Sequence, residues 1–360
     1  MDFYTLTVSD VTRETENTVT LSFTLPDDLT PYFQYQAGQF LTVKLSVDGE
    51  TLQRAYSLNS SPALEEPLQI TVRAIQDGRV SNWINSHINI GDQLQVAPPS
   101  GRFSPDIQRE NHRSYYLFAA GSGITPILSI AKTVLAVEPW SQVYLLYGSR
   151  DENNIILRNQ VEQLATQHPA RMKLTQTLSQ PQSKRWSALW RDVEDWQGET
   201  GRVDTERVQA FIQQHPPQIQ ECHYLICGPE AMIQSTRTAL QALDVDPQHI
   251  LHEQFSSAPN TNNEAHGCIS ELEIRFAGKR SNQMTADDEN LLQTLLRHDH
   301  PVTYSCQSGV CGNCRATLRK GEVTMQNPAA LTEQEIEQGE ILLCQAYAQS
   351  EQLAIELPDS

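Results

Sequence analysis

Four cysteines limit most tightly what the C-terminal part of this chain can become. Residues 304–314 read YSCQSGVCGNC, which sets Cys306, Cys311 and Cys314 in C-x4-C-x2-C spacing, and Cys344 stands alone further on in ILLCQAY. Four thiolates in that order are the donor set of one 2Fe-2S cluster. A loop that wraps a cluster closely needs backbone freedom, and Gly309 and Gly312 supply it. Small residues such as Ser305 and Ser308 leave backbone N–H groups free to point at the sulfurs, which helps set a reduction potential. A four-cysteine zinc site usually pairs its ligands at short spacings, whereas the fourth cysteine here is distant. A disulfide belongs to an oxidising compartment, and the start MDFYTLTVSD has no basic stretch followed by an apolar run.

At 360 residues the chain is too long for one ordinary core, so two or three domains are expected. Its net charge of −18 argues against nucleic acid or an anionic membrane as partner, since both require a basic face. That charge suits docking to a basic patch on another protein. Beyond the loop, Cys222, Cys227 and Cys268 do not make a disulfide framework. The most apolar stretch, residues 115–137, is broken by Gly121, Ser122, Gly123, Pro126 and Lys132. It reads as strand, glycine turn and helix rather than a membrane span. A cytoplasmic protein without membrane insertion is expected.

In chain order, residues 3–103 carry short β-like runs such as TVTLSFTL, QFLTVKLSV, LQITVRAI and DQLQVAPP between Pro, Gly and Asp turns. They predict a small antiparallel β-barrel. Within it stand Arg54-Ala55-Tyr56-Ser57 and, later, Gly78-Arg79-Val80-Ser81 at the start of a helix-like run. An arginine beside an aromatic and a hydroxyl can serve a phosphate, ring stacking and hydrogen bonding together. A helix starting near Ser81 can hold a diphosphate with its backbone N–H groups. Taken alone, RAYS is better read as a strand with one exposed Arg and one core Tyr. Next, a buried-strand run leads into Gly121-Ser122-Gly123-Ile124-Thr125-Pro126 and an apolar helix, a dinucleotide cradle in which Pro126 replaces the third fingerprint glycine. Further strands end at Arg150, near Ser179, at Cys227-Gly228-Pro229 and at HEQF, alternating with helices as in an α/β Rossmann-like parallel sheet. Cys227 taken by itself reads as an ordinary buried cysteine. Residues 256–270 read as a linker, and 271–360 as an α+β β-grasp domain with a helix carrying Leu291, Leu292, Leu295 and Leu296. The expected fold is thus multidomain: 1–107 an antiparallel β-barrel, 108–255 an α/β Rossmann-like dinucleotide domain, 256–270 the linker, and 271–360 the β-grasp domain that carries the cysteine loop.

The motifs RxYS, GxGxTP, CGPxxM and the cysteine loop, in this order along nearly the whole chain, resemble the ferredoxin–NADP reductase-like oxidoreductases that carry a C-terminal plant-type ferredoxin domain. The resemblance implies FAD, a 2Fe-2S cluster held by Cys306, Cys311, Cys314 and Cys344, and NADPH (or NADH) as electron source. It implies that Arg54 binds the flavin diphosphate, with Ala55 beside it, that Tyr56 stacks on the flavin ring and that Ser57 sits near N5. Gly78, Val80 and Ser81 complete the diphosphate site, and Thr125 lies at the flavin's edge. Gly121 and Gly123 admit the nicotinamide dinucleotide, Cys227 and Gly228 border the nicotinamide, and Phe255 covers the flavin ring. Ser57 and Cys227 are the catalytic candidates. Arg150, with Ser179, Lys184 and Arg185 downstream, is placed to meet a 2′-phosphate, although Asp151 and Glu152 beside it can serve a ribose hydroxyl or a helix start. The implied activity is electron transfer from NAD(P)H through FAD to the cluster. The acceptor is an oxygenase or other redox protein, another hydroxylase or a hybrid-cluster protein among them. A passive iron–sulfur carrier or redox sensor is the competing expectation.

Overall fold

The computed structural model describes residues 2–182, 196–255 and 267–358. The chain divides into two compact units, a larger one of residues 3–52 and 56–253 and a smaller one running from residue 254 onward together with residues 53–55 and the first two residues.

The first half of the larger unit comprises β1 (Tyr4–Thr15), β2 (Thr18–Thr24), β3 (Phe40–Val47), β4 (Glu50–Ser57), β5 (Leu68–Arg73), α1 (Arg79–His87) and β6 (Gln93–Ser100). The strands form one sheet in the order β4-β3-β6-β1-β2-β5. A bridge between Leu58, just past β4, and Ile70 of β5 joins the two edges and closes the sheet, as the antiparallel pattern predicts. Val8, Val19, Leu21, Val43, Ile70, Val72 and Val96 fill the interior, each almost sealed from water. Burying a side chain of this size stabilises the fold by roughly 1.5–3 kcal/mol.

The second half runs β7 (Ser114–Ala120), α2 (Ile124–Val137), β8 (Gln142–Ser149), α3 (Arg158–Gln167), β9 (Met172–Leu178), β10 (Glu199–Thr200), α4 (Thr205–Gln214), β11 (Cys222–Cys227), α5 (Glu230–Ala242) and β12 (Ile250–Glu253). Its strands are parallel in the order β10-β9-β8-β7-β11-β12. Central β7 is buried on both faces. Tyr115, Leu117 and Ala119 pack with residues of α2 and α3, while Tyr116 and Phe118 pack with residues of α4 and α5. A strand covered on both sides reads as a near-continuous apolar run, as YYLFAA does after the hydrogen-bonded Ser114. The chain runs outward from β7 through β8 to β10 and then returns to β11, so the topological switch, where such sheets open a crevice, lies at β7 and β11.

The barrel and the parallel sheet meet along one face of α2. Ser129 Oγ donates to the Ser60 carbonyl at 2.6 Å, the hydroxyls of Thr133 and Ser61 lie 2.8 Å apart, and Lys132 Nζ reaches Glu66 at 2.9 Å and Gln160 at 3.0 Å. Lys132, which in the sequence only interrupts an apolar run, is therefore a tether in the fold.

The smaller unit holds β13 (Glu271–Phe276), β14 (Lys279–Met284), α6 (Leu291–Arg297), β15 (Arg315–Lys320), β16 (Val323–Met325), α7 (Glu333–Glu337), β17 (Glu340–Leu342), β18 (Ala346–Ala348) and β19 (Gln352–Glu356). Five strands make a mixed sheet, β14-β13-β19-β15-β17, in which β13 and β19 are parallel. Leu291, Leu292 and Leu295 of α6 enter its core, while Leu296, the fourth of the apolar set read from the sequence, stays exposed. Of the expected linker, residues 256–266 lie outside the described residues. Gly267 and Cys268 already donate backbone hydrogen bonds to Asp287 and Ala348 of this unit. Among the described residues no helix is long and apolar enough to cross a membrane.

Candidate redox site

Strand alternation puts Arg54 and Tyr56 on one face of β4 and Ala55 and Ser57 on the other. Tyr56 packs against the barrel core and Ser57 is buried. The Arg54 guanidinium donates to the Gln53 carbonyl at 2.7 Å. In the larger unit, Gly78 stands at the N-cap of α1, whose first turn has neither a side-chain cap nor an acidic residue. A Cβ on Gly78 would run into Ser81 Oγ and lie 2.5 Å from a side-chain carbon of Ile75, so only glycine allows this tight entry into the helix. Val80 and Ser81 are buried at the same turn. Uncapped N–H groups at a helix start fit an anionic diphosphate.

At the carboxyl ends of the parallel strands, Gly121 takes φ +55° and Gly123 packs backbone to backbone, since a Cβ there would overlap the Cys227 carbonyl. Gly228 is likewise crowded, its would-be Cβ 2.8 Å from Met232. Thr125, expected at the flavin's edge, is buried, and its hydroxyl donates to the Ser122 carbonyl at 3.0 Å. These glycine-lined strand ends open a cavity of about 450 Å³ bordered by Arg73, Gly121, Gly148, Arg150, Arg202 and Met232. Bare backbone with arginines at the rim suits a dinucleotide and its phosphates. Arg150 is largely exposed, and its Nε donates to Gln180 Oε1 at 3.1 Å. Asp151 accepts from the Asn153 N–H at 3.0 Å, and Glu152 accepts from the Gln182 N–H at 3.1 Å. Both carboxylates thus bind backbone, Asp151 at the short turn after β8 and Glu152 across to the segment that follows β9. Ser179 borders the same cavity, and Lys184 and Arg185 lie outside the described residues. Sequence reading passed over Arg73 and Arg202, because neither sits in a recognisable motif.

It also passed over Glu253, which the structure puts beside both catalytic candidates. Ser57 Oγ donates to Glu253 Oε2 at 3.3 Å, and Cys227 and Glu253 are register partners on β11 and β12. The residue keeps some surface, yet its carboxyl points inward, and burial pushes its pKa up to about 8 despite the Ser57 hydrogen bond. The fully enclosed Cys227 thiol is raised well above its ordinary value, first by burial and then by the nearby carboxyl. The available signal was the single acid in the closing run HILHEQF. Phe255 two residues on is more than a third exposed and belongs to the smaller unit.

In the smaller unit the four expected thiols come together as two pairs, Cys306 with Cys311 and Cys314 with Cys344. Within each pair the two sulfurs lie within hydrogen-bond reach of one another. Backbone N–H groups point at these sulfurs as well: Ser308 donates to Cys306 at 3.4 Å, and Gly309 and Asn313 serve Cys344 and Cys311. The loop adopts left-handed backbone at Gln307, Gly309 and Gly312, and a side chain on Gly309 would overlap the Asn327 carbonyl. Among the described residues no three His, Cys, Asp or Glu side chains close on a single-ion site. Two thiol pairs inside a cage of N–H donors fit a group with two irons, each taking two thiolates. Asn313 Nδ2, buried there without a partner, is a donor such a group can use.

Comparison with known proteins agrees with this geometry. The family described as "Oxidoreductase FAD-binding domain" matches residues 5–104, "Oxidoreductase NAD-binding domain" residues 117–238, and "2Fe-2S iron-sulfur cluster binding domain" residues 274–349. The chain is 34% identical to one of the subunits of the 1,2-phenylacetyl-CoA epoxidase of Escherichia coli K12, over 96% of this chain and 94% of that one. It is 31% identical to the ferredoxin reductase component of 3-ketosteroid-9-alpha-monooxygenase from Rhodococcus rhodochrous, over 98% and 96% of the two chains. Phthalate dioxygenase reductase, a solved structure, shares the fold with a TM-score of 0.61 at 21% identity, over 99% of this chain and 98% of that one. The chain therefore belongs to the ferredoxin-reductase-type oxidoreductases that join FAD-binding, NAD-binding and 2Fe-2S domains and include the reductase components of oxygenases.

Proposed function

We propose that this protein takes electrons from NADPH, passes them through FAD to its 2Fe-2S centre and delivers them to a partner oxygenase of the phenylacetyl-CoA epoxidase type. The observation that carries this reading is that one chain holds both a glycine-lined dinucleotide crevice near Ser57, Cys227 and Glu253 and a loop of two thiol pairs caged by N–H donors. When bound, the flavin supplies the exchange of a two-electron hydride for single electrons, which an iron–sulfur group accepts one at a time. The chain supplies position and charge. Arg54 serves the flavin diphosphate with Ala55 beside it, Tyr56 offers a stacking face, and Gly78, Val80 and Ser81 present N–H groups at the start of α1. Ser57 orients the reacting edge. Gly121, Gly123 and Thr125 shape the entry to α2, Cys227 and Gly228 border the nicotinamide, and Arg150 meets the 2′-phosphate. Phe255 as a cover for the flavin ring rests on resemblance alone. Glu253, uncharged at neutral pH, keeps a buried negative charge away from a site that receives hydride. The same reading places the protein in the reducing cytoplasm, where thiols remain available to iron, and gives the domain bounds 1–107, 108–255 and 271–360.

Anaerobic addition of NADPH tests the reading. The flavin absorption should bleach and a reduced-cluster electron paramagnetic resonance signal should follow, with turnover once a purified oxygenase of that type is added. In Cys311→Ser the flavin should still bleach while iron and the cluster absorption are lost, because a hydroxyl replaces a thiolate poorly. A wild type whose flavin NADPH and NADH both leave oxidised would make the protein a carrier or sensor instead.

A further inference from the structure

Gln345, directly after the fourth cysteine, is an ordinary polar residue in the sequence, but its side chain is buried at the thiol cage. Its Nε2 lies 2.9 Å from the Cys344 carbonyl, 3.2 Å from the Gln307 carbonyl and 3.5 Å from Cys344 Sγ. A carboxamide nitrogen has two hydrogens. One can go to Gln307 across the loop, and the other is shared between the carbonyl and the sulfur of Cys344. The stem is fixed from the other side, since Gly309 leaves room for it and a Cβ there would come within 2.8 Å of Gln345 Cγ. The backbone is fixed too: Gln345 N–H donates to Leu342, and the Gln345 carbonyl accepts from Gln326. The donor is therefore held at the sulfur by contacts other than the one to the sulfur itself.

We infer that Gln345 is a positioning residue that tunes the iron–sulfur potential by donating an N–H to the Cys344 thiolate. This rests on the cluster reading given above. Reduction adds negative charge that spreads onto the thiolates, so a fixed N–H dipole at Cys344 stabilises the reduced state more than the oxidised one and raises the potential. A structural role alone would be to pin Gln307, and a different residue separates the two effects. Asn327 Nδ2 donates to the Ser308 carbonyl at 2.6 Å, which fastens the same loop without supplying that N–H.

The test is a spectroelectrochemical titration of the cluster in the full-length protein, after iron and sulfide analysis of each variant. Gln345→Leu should shift the one-electron equilibrium about threefold toward the oxidised form, or about 30 mV downward at 59 mV per tenfold. Gln345→Met, of similar length but without an N–H, should do the same and serves if the leucine variant fails to load. Asn327→Leu should leave the potential in place. An unchanged potential in loaded Gln345 variants, or an equal drop in Asn327→Leu, overturns the inference. A wild type without two irons per chain overturns the cluster reading itself. Pulsed electron paramagnetic resonance on wild type labelled with ¹⁵N in glutamine side chains needs no mutation. A weak ¹⁵N coupling to the reduced cluster that Gln345→Met abolishes is expected, and its absence in the wild type counts against the proposal.

Discussion

Glu253 shows how much chemistry one buried carboxyl can hold. Its folded pKa of about 8 lies above the unfolded value of 4.5, so the folded state binds the extra proton between those limits. Its contribution to stability is thus full below pH 4.5 and declines as pH rises toward 8. On the proposed function the same proton matters at the site, because an ionised Glu253 beside Ser57 and Cys227 would oppose the arrival of a hydride. The stopped-flow rate of flavin reduction by NADPH should therefore fall as pH rises through about 8, and Glu253→Gln should flatten that limb. A wild-type limb unchanged in Glu253→Gln would assign it to another group. Arg150 allows a sharper test of coenzyme choice. If it grips a 2′-phosphate, Arg150→Ala should lower kcat/KM for NADPH about tenfold or more and leave NADH nearly untouched, whereas equal losses would give Arg150 another task. The four thiols were legible from spacing because cluster geometry dictates it. Glu253 was not, because its meaning depends on Ser57 lying opposite, 196 residues earlier in the chain.

At the scale of elements, α2 carries more than its apolar pattern announces. Its Ser129, Lys132 and Thr133 form a polar face docked on residues 59–66 of the barrel half. The helix that presents its N-terminus to the dinucleotide crevice is thereby fastened to the half that carries the flavin motifs. Lys132→Met strands Glu66 in a mostly buried setting, and breaking such a pair costs about 3 kcal/mol. A clear drop in Tm is expected, and Lys132→Met with Glu66→Leu should recover part of it, since the two effects are coupled. Additive losses in that double variant would mean that the pair does not act as one unit. Elements with strong periodicity or punctuation, such as β7 and the glycine turn after it, were readable from local sequence. The seam was not, because serine, lysine and threonine on a helix look the same whether they face water or another half of the protein.

For the whole molecule, a charge of −18 sets how acceptors arrive. Reduction of a basic artificial acceptor such as cytochrome c should slow steeply as salt is raised, while reduction of neutral ferric chelates barely changes. Equal salt dependence for both would remove steering as the cause. The sheet order has a consequence for synthesis as well. The barrel closes with strands that have all emerged by Ser100, but central β7 pairs on one side with β11, Tyr116 opposite Tyr224. Until that strand leaves the ribosome, the most apolar strand of the larger unit has one bare edge, the kind of edge that recruits foreign strands. Nascent chains stopped near residue 220 should yield a protease-resistant barrel and a parallel sheet that is still cleaved, and chains extended past Glu253 should protect both. The cell therefore has to shield β7 through more than a hundred residues of translation before its last neighbour exists.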